Sequence, residues 1–388
     1  MKRICIVLAL ALCLLLTLSL AAAAQDIVIG IDLSTTGPGA SLGIPQKGAL
    51  VFGPTSFAGH KVRYVVYDDG SDPTVAVQNF KRLINEDKVD LVIGTTLTPP
   101  ALAVMDQLAE SHTAMISLGQ ASSIVLPMDA KRRWVFKTPA NDSVWAGAIV
   151  QHMVRHGVRT VSAIAFDDAY GESNYGEFKK LAEHAGLRIL NVEKYKRVDT
   201  SVSGQILRIL NGHPDAVFVV ASGSPAALPQ LTLVERGYKG KIYQTSGAAV
   251  ADFLRVGGKG VDGAYMPASP FLVAEQLPAN YPTRAESLHF TKEYEARIGP
   301  RSFFAALLWD GFTVANQAIP RALKVARPGT VQFREAIRAN IENTRGLRGA
   351  TAVFNYSPED HSGVNQLGVV MVRIENGQWK LENLVATK

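Results

Sequence analysis

Three aspartates close together are the first residues in this sequence that could do chemistry. Asp68, Asp69 and Asp72 follow an apolar run, and clustered carboxylates can bind calcium or act as a catalytic pair. A calcium loop of the EF-hand type counted from Asp68 needs glutamate at its twelfth position, where Asn79 stands. Asp72 followed by Pro73 is instead typical of a helix start, with the aspartate capping backbone N–H groups. The cluster is therefore interpreted as a joint between a strand and a helix.

Two histidines and two short motifs offer weaker signs of catalysis. His152 and His156 lie four apart in a helical pattern and could share a zinc ion, but no glutamate follows the first histidine and no third ligand is evident. The pair is therefore interpreted as part of a solvated helix face. The segment GESNYG would need glycine at Tyr175 to be a serine elbow, and TGPGASLG has Leu42 where a dinucleotide-binding loop needs glycine. The sequence predicts neither an enzyme nor a bound metal or cofactor.

The first 24 residues differ in composition from the rest. Lys2 and Arg3 precede an apolar run over 4–20, and the alanines of 21–24 stand just before Gln25. A basic end, an apolar stretch and a small-residue cleavage site predict a secretory signal peptide over 1–24, with a membrane anchor as the alternative. Both cysteines of the sequence fall inside it, so the mature chain is expected to have no thiol and no disulfide.

Composition and charge exclude two further classes of protein. The chain is 47% hydrophobic and 19% charged, which is too apolar for a disordered protein. Its formal net charge is +6, and it falls to +4 without Lys2 and Arg3. The basic residues are scattered and do not alternate with aromatic residues, so nucleic acid is not an expected partner. Cleavage would leave 364 of the 388 residues, a length that suggests two domains.

The rest of the chain alternates short β-branched runs with helical patterns, and it does so twice. Predicted strands cover 26–32, 61–69, 89–94 and 113–119, and then 160–168, 187–195, 214–223 and 241–247. Predicted helices cover 74–86 and 100–111, begin near 171, 201 and 225, and return at 283–298, 303–326 and 331–343. A closing hairpin is expected to turn at Asn376-Gly377. This alternation predicts two α/β lobes, each a doubly wound parallel sheet.

The loops at the carboxyl ends of the strands are the predicted binding site, because ligands of open α/β sheets bind there. These loops are rich in hydroxyl and small residues. They cover 94–100, 117–123, 167–173, 221–225 and 245–249. None of them contains lysine or arginine, so we expect hydroxyl and backbone N–H groups to hold a carboxylate without a counter-charge.

Five motifs follow one another along the chain: IGIDLSTTGPGASLG, DDGSDPTVAVQNFKRLI, MISLG, VFKTPANDS and FDDAYGESNYGEFK. Taken in this order, they resemble the motifs of type I periplasmic solute-binding proteins, and most closely the branched-chain amino acid binding group of ABC importers. The resemblance covers nearly the whole mature chain. It implies two Rossmann-like lobes joined by a three-stranded hinge, with the ligand in the cleft between them. It also implies a periplasmic monomer that delivers a small molecule to a membrane ABC permease.

The resemblance also implies where the lobes begin and end. Three crossovers are expected near Lys137–Asn141, Pro267–Phe271 and Phe354–Pro358. The N-terminal lobe is then 25–139 plus 271–354, and the C-terminal lobe is 140–270 plus 355–388. The crossover stretches are rich in proline, glycine, serine and asparagine, which suits a hinge that absorbs backbone rotation.

The resemblance assigns candidate ligand-binding residues, since amino-acid binders of this family hold the α-carboxylate and α-ammonium with two loops of one lobe and an acid of the other. The candidates are Thr95, Thr96, Thr98, Gly119, Gln120, Ala121, Tyr170 and Ser246, and Ser222 is added from the loop over 221–225 at the carboxyl end of a strand. Ala121 replaces a usual threonine, Ser246 stands where the family has the acid, and Leu42 lies near the place of a family tyrosine. Trp145 and Phe271 are further candidates for stacking on the ligand, with core or hinge packing as their alternative interpretation.

The loss of the acid argues against an α-amino acid, because an ammonium without a partner is costly to bury. Asp168 or Asp252 could replace it, but neither occupies the motif position. The sequence therefore favours an aromatic or other apolar organic acid, held by a binding protein that closes by hinge bending. Two alternatives stay open: a branched-chain or aromatic amino acid as ligand, and a ligand sensor of the same fold that feeds a signalling partner.

Overall fold

The computed structural model describes residues 25–385, so the predicted signal peptide over 1–24 lies outside the described residues. Between residues 25 and 385, no helix is both long enough and apolar enough to cross a membrane. Two large sheets form the framework, and helices cover them. This is the arrangement that near-continuous apolar strands require, since both faces of such a sheet must be buried.

The first sheet has six strands. They are β1 (Ile27–Leu33), β2 (Ser56–Phe57), β3 (His60–Asp68), β4 (Leu91–Gly94), β5 (Ala114–Ser117) and β6 (Val135–Lys137). Their order is β2-β3-β1-β4-β5-β6, and the short β2 is antiparallel to its neighbour. The helices of this stretch are α1 (Ala40–Gly48), α2 (Pro73–Asn85), α3 (Thr98–Ala103) and α4 (Met105–Ser111). The predicted helix over 100–111 is thus two helices, because Val104 leaves helical geometry at φ −101° and ψ 0°.

The second series of strands and helices builds the second sheet. The strands are β7 (Thr160–Phe166), β8 (Arg188–Tyr195), β9 (Ala216–Val220), β10 (Lys241–Gln244) and β11 (Tyr265–Ala268). The helices are α5 (Asp142–Arg155), α6 (Ala169–His184), α7 (Ser203–Asn211), α8 (Ala227–Glu235) and α9 (Ala251–Gly257). Every residue of β1, β4, β5 and β9 is buried, as expected for central strands with helices on both faces.

After β11 the chain returns to the first sheet and then crosses back. The elements are α10 (Arg284–Arg297), α11 (Phe303–Ala322), α12 (Val331–Glu342), β12 (Leu347–Arg348), β13 (Val353–Phe354), β14 (Val370–Glu375) and β15 (Gln378–Leu384). Helix α11 packs against α1, α12 and β4. Strands β14 and β15 form the predicted hairpin, with Asn376 and Gly377 at φ 51° and 69° as a type I′ turn requires. The second sheet is ordered β15-β14-β11-β10-β9-β7-β8.

Three chain segments connect the two sheets, which confirms two Rossmann-like lobes on a three-stranded hinge. They run from β6 to α5, from β11 to α10 and from β13 to β14, where the crossovers were expected. Hydrogen bonds tie the first segment to the third: the Tyr356 hydroxyl donates to Lys137 O at 3.1 Å and the Ser362 hydroxyl to Pro139 O at 3.1 Å. The residue boundaries of the lobes given above stay a prediction.

The aspartate cluster is a joint between β3 and α2, as the sequence indicated. Asp72 Oδ1 accepts a hydrogen bond from Thr74 N at 2.6 Å and caps α2. Asp68 Oδ1 accepts from Thr35 N and Gly70 N, both at 2.9 Å, and so links the loop after β1 to the turn. Asp68 thus holds backbone N–H groups beyond the ends of two neighbouring strands, and Asp72 holds one at the start of a helix.

Asp310 of α11 is a buried carboxyl that holds the segment leading to the third crossover. Its oxygens accept hydrogen bonds from Ala350 N at 2.6 Å and Thr351 N at 2.8 Å. Burial raises the pKa of Asp310 to about 7. Asparagine there would turn its NH₂ group toward one of these donors, so Asp310→Asn should lower the free energy of unfolding by about 1–3 kcal/mol.

The pH dependence of that loss tests the protonation state of Asp310. Between about pH 4 and pH 7 the folded carboxyl keeps a proton that the unfolded one has lost, so its contribution to stability falls as the pH rises. Urea unfolding of both proteins at about pH 5 and pH 8 should therefore show a wider stability gap at the lower pH. An equal gap at both values would contradict the raised pKa.

Candidate ligand-binding cleft

A small cavity lies between the two lobes, where loops from the carboxyl ends of strands in both sheets meet. The first lobe lines it with Leu42, Thr96, Leu97, Thr98, Gln120 and Phe304, and the second with Tyr170, Arg197 and Ser222. The cavity volume is about 10 Å³, which is room for about one water molecule. The lobes therefore have to move apart before a molecule the size of an amino acid or a benzoate can enter.

Seven predicted ligand-binding residues meet at this cavity. Six of them line it: Leu42, Thr96, Thr98, Gln120, Tyr170 and Ser222. The seventh, Ser246, places its Oγ 3.4 Å from Gln120 Oε1. The Tyr170 hydroxyl lies 3.4 Å from the same oxygen and donates to Thr245 Oγ1 at 2.9 Å, so Gln120 of one lobe faces the hydroxyls of the other. Their role in binding stays a prediction.

Three predicted residues of the first-lobe loops shape the backbone beside the cavity. The Thr95 hydroxyl donates to Leu97 O at 2.9 Å, within its own loop. Gly119 N donates to Ser117 Oγ at 3.2 Å. Ala121 is fully buried in the apolar cluster under the loop. These contacts position the lining residues, and Thr95, Gly119 and Ala121 themselves lie outside the lining.

The two aromatic candidates for stacking lie outside the lining as well. Trp145 Nε1 donates to Ala140 O at 3.1 Å beside the first crossover. The Phe271 ring is fully buried and packs against Phe290 of α10, with the two ring centroids 5.8 Å apart. Both environments fit the alternative interpretation of hinge and core packing.

Arg197 is the charged residue of the cleft, and the sequence analysis missed it. It follows β8, in a loop at the carboxyl end of a strand, yet that loop was left out of the predicted site. Its side chain is only 12% exposed; Nε donates to Asp168 Oδ2 at 2.6 Å and Nη1 to Ser222 Oγ at 2.9 Å. The guanidinium also stacks 4.2 Å from the centroid of the Phe166 ring. The expectation of a cleft without a cation was therefore wrong.

Three buried polar atoms of lining residues have no hydrogen-bond partner among residues 25–385. They are Arg197 Nη2, Gln120 Nε2 and Thr98 Oγ1. Buried polar groups are normally paired, since an unpaired one costs about 1–3 kcal/mol. Two of the three are obligate donors and the third is a hydroxyl, so together they suit the oxygens of an anionic ligand.

One wall of the cavity is apolar. Leu42, Leu97 and Phe304 supply it, and no aspartate or glutamate stands among the residues that line this cavity. Leu97 lies between Thr96 and Thr98 in a loop that the sequence analysis had selected for its hydroxyl residues. Its position in that loop could have identified it as a lining residue. Phe304 lies in the first turn of α11, far along the chain, and only the fold brings it to the cleft.

A buried lysine supports the loop that carries Gln120. Lys137 Nζ donates to Gln120 O at 2.5 Å and to Ala140 O at 3.0 Å, and its side chain is fully buried. Burial lowers the pKa of Lys137 to about 8, and the nearby carboxylate of Asp142 opposes that change. Lys137 thus connects the first crossover to the loop that carries Gln120.

The chain belongs to the periplasmic binding protein family, whose model matches residues 26–378. It is 42% identical to an extracellular ligand-binding receptor from Rhodopseudomonas palustris HaA2, over 92% of this chain and 99% of that one, with a TM-score of 0.89. It is 22% identical over 331 residues to the leucine-, isoleucine-, valine-, threonine- and alanine-binding protein of Pseudomonas aeruginosa, covering 83% of this chain and 84% of that protein. The resemblance drawn from the sequence motifs is confirmed.

A more distant protein shares the fold. It is a solute binding protein of an ABC transporter from Rhodopseudomonas palustris BisB5, solved in complex with 3,4-dihydroxy benzoic acid. The identity is 20%, the TM-score is 0.77, and the match covers 93% of this chain and 98% of that one.

Proposed function

We propose that this protein is the periplasmic substrate-binding component of an ABC importer, and that its ligand is a small apolar carboxylic acid, an aromatic one being favoured. The observation that carries this proposal is Arg197. Its guanidinium lines the cleft, is almost fully buried and keeps one nitrogen without a partner among residues 25–385. Hydrogen bonds between a buried guanidinium and a carboxylate are charge-assisted and directional, which makes Arg197 the natural anchor of an acid.

The surroundings of Arg197 argue against an α-amino acid. An ammonium needs a carboxylate partner in a closed cleft, and the lining contains no acid. Asp168 already pairs with Arg197 at 2.6 Å and caps α6 through Tyr170 N and Gly171 N. Asp252 pairs with Arg255 at 2.8 Å, and its side chain is 41% exposed. Neither of the two suggested substitutes is thus free for a ligand ammonium.

The apolar wall and the donors fit a flat acid. A ring against Leu42 and Phe304 would leave its carboxylate toward Arg197, while Gln120 Nε2 and Thr98 Oγ1 could meet ring hydroxyls or the second carboxylate oxygen. The distant protein of the same fold that was solved with 3,4-dihydroxy benzoic acid supports this class of ligand. Nothing in this arrangement requires a reaction, so the proposed role is binding and delivery.

Hinge bending couples binding to transport. The lobes touch across the cleft, where the backbone nitrogen of Ser224 donates to Ser41 Oγ at 3.2 Å and Gln120 faces Tyr170. A ligand that contacts both lobes stabilises this closed form over open ones. The closed form is then the one that a membrane permease would recognise.

Ligand-dependent stability tests the proposal. Protein stripped of ligand by unfolding and refolding should melt at a higher temperature with benzoate, hydroxybenzoates, cinnamates or short oxo acids, and unchanged with leucine, isoleucine, valine or phenylalanine. A ligand at about a hundred times its dissociation constant adds about 2.7 kcal/mol, enough to shift the midpoint by several degrees.

Neutral analogues of the same shape provide the control. Benzamide and the amide of the best acid keep the ring and lose the negative charge, so they should produce no shift. A shift by leucine or valine that exceeds every acid without an amino group would overturn the choice of ligand. An amide that works as well as its acid would contradict the role of Arg197.

A further inference from the structure

The two histidines near the end of α5 have a third partner that the sequence did not reveal. His152 and His156 stack with ring centroids 3.9 Å apart. Glu382 of β15 faces both rings, with Oε1 at 3.7 Å from His152 Nε2 and 3.8 Å from His156 Nε2. The side chain of His152 is completely buried, so the interpretation of this pair as a solvated helix face was wrong for His152.

Hydrogen bonds orient both imidazoles toward the same space. His156 Nδ1 lies 2.9 Å from His152 O and can only donate to it, which leaves the Nε2 lone pair free on a neutral ring. His152 Nδ1 lies 2.9 Å from the Tyr243 hydroxyl; when Nδ1 donates its proton to that oxygen, the lone pair of Nε2 is available to a metal. His152 Nε2 is buried and has no hydrogen-bond partner in the described part of the chain. An unpaired buried nitrogen thus points at a carboxylate and a second imidazole.

We propose that His152, His156 and Glu382 form a binding site for a divalent transition metal of the zinc class. Their ligand atoms lie within 4.8 Å of one another, and a tetrahedral zinc ion needs them about 3.4 Å apart. The side chains of His156 and Glu382 are 36% and 27% exposed, so both can close that gap by small rotations. Two imidazoles, one carboxylate and a water molecule are a set that zinc accepts.

The surroundings of this site select against magnesium and calcium. Those ions prefer all-oxygen sites with several carboxylates, whereas this cluster offers two imidazoles and one carboxylate. The site is also separate from the ligand cleft. Helix α5 starts at the hinge with Asp142, and His152 lies ten residues further, about 15 Å along the helix axis. A metal there would fasten α5 to β15 without touching the cleft.

Metal titration tests the proposal. The protein is prepared without the predicted signal peptide and without an affinity tag, and EDTA is used to remove bound metal before the titration. Zinc, measured by competition with a chromophoric chelator, should bind in one equivalent, and cobalt should show the visible absorption of a four-coordinate site. Zinc should also raise the melting temperature, because it binds only the folded state. His156→Ala and Glu382→Gln should each weaken zinc binding roughly tenfold or more. Magnesium should not bind.

Matched variants make the outcome decisive. His184→Ala removes an exposed histidine from α6 and should leave zinc affinity unchanged. The proposal is overturned if wild type fails to bind zinc, or if it binds no better than His156→Ala and Glu382→Gln. It is equally overturned if His184→Ala loses as much affinity, since that pattern indicates scattered surface histidines. His156→Ala should keep the affinity for the cleft ligand, so this test is independent of the proposed transport function.

Discussion

Arg197→Met is expected to weaken binding of a carboxylate ligand by roughly 30-fold or more. The guanidinium is 12% exposed, and removing one partner of a buried charge pair typically costs about 2–5 kcal/mol, or roughly 30-fold to several thousand-fold in the dissociation constant. Methionine keeps a side chain of similar length and loses every donor. Isothermal titration with the best acid from the panel measures the loss.

The controls for Arg197 separate binding from folding. Arg208→Met removes an arginine that pairs with Glu193 on the surface, and it should leave ligand affinity unchanged. Arg197→Lys keeps the charge without the planar fork and should fall between wild type and Arg197→Met. The free energy of unfolding of each variant is measured in urea first, because Asp168 loses its partner in Arg197→Met and the fold could be destabilised. Equal affinities for Arg197→Met and Arg208→Met would remove Arg197 from the site.

Lys137→Met is expected to cause the largest loss of stability, about 3–5 kcal/mol, because it breaks a buried charged network. The ammonium donates to Gln120 O, Ala121 O and Ala140 O, all buried, and Asp142 is left without its opposing charge. Because Gln120 carries a lining side chain, ligand affinity should fall as well. Urea unfolding and titration of the same preparation measure the two effects.

A double-mutant cycle with Asp142 tests the origin of that loss. If the two charges stabilise one another, Asp142→Asn costs less stability in the Lys137→Met background than in wild type. Lys194→Met is the matched control, since Lys194 makes its ion pairs with Asp167 and Glu172 on the exposed surface. A Lys137→Met protein as stable as this control would show that the carbonyls find other partners.

Local patterns were sufficient for most of the fold. The eight strands predicted between 26 and 247 lie within a few residues of their predicted bounds, because apolar runs of four to nine residues between helical repeats have few other solutions. The short strands β2, β6, β11, β12 and β13 were not predicted. Asp72-Pro73 and Asn376-Gly377 determine a helix start and a hairpin turn through their own backbone chemistry. Four of the loops predicted at the carboxyl ends of strands contribute residues to the cavity between the lobes. The order of the motifs identified the family.

Tertiary structure alone decided the charge of the cleft and the partners of its residues. A sequence shows that Arg197 and Phe304 exist, but not that the loop after β8 and the first turn of α11 meet across two lobes. In the same way Glu382 reaches the histidines of α5 only because β15 closes the edge of the second sheet. Periodicity is a property of neighbouring residues, whereas a binding site is built from residues that packing brings together from distant parts of the chain.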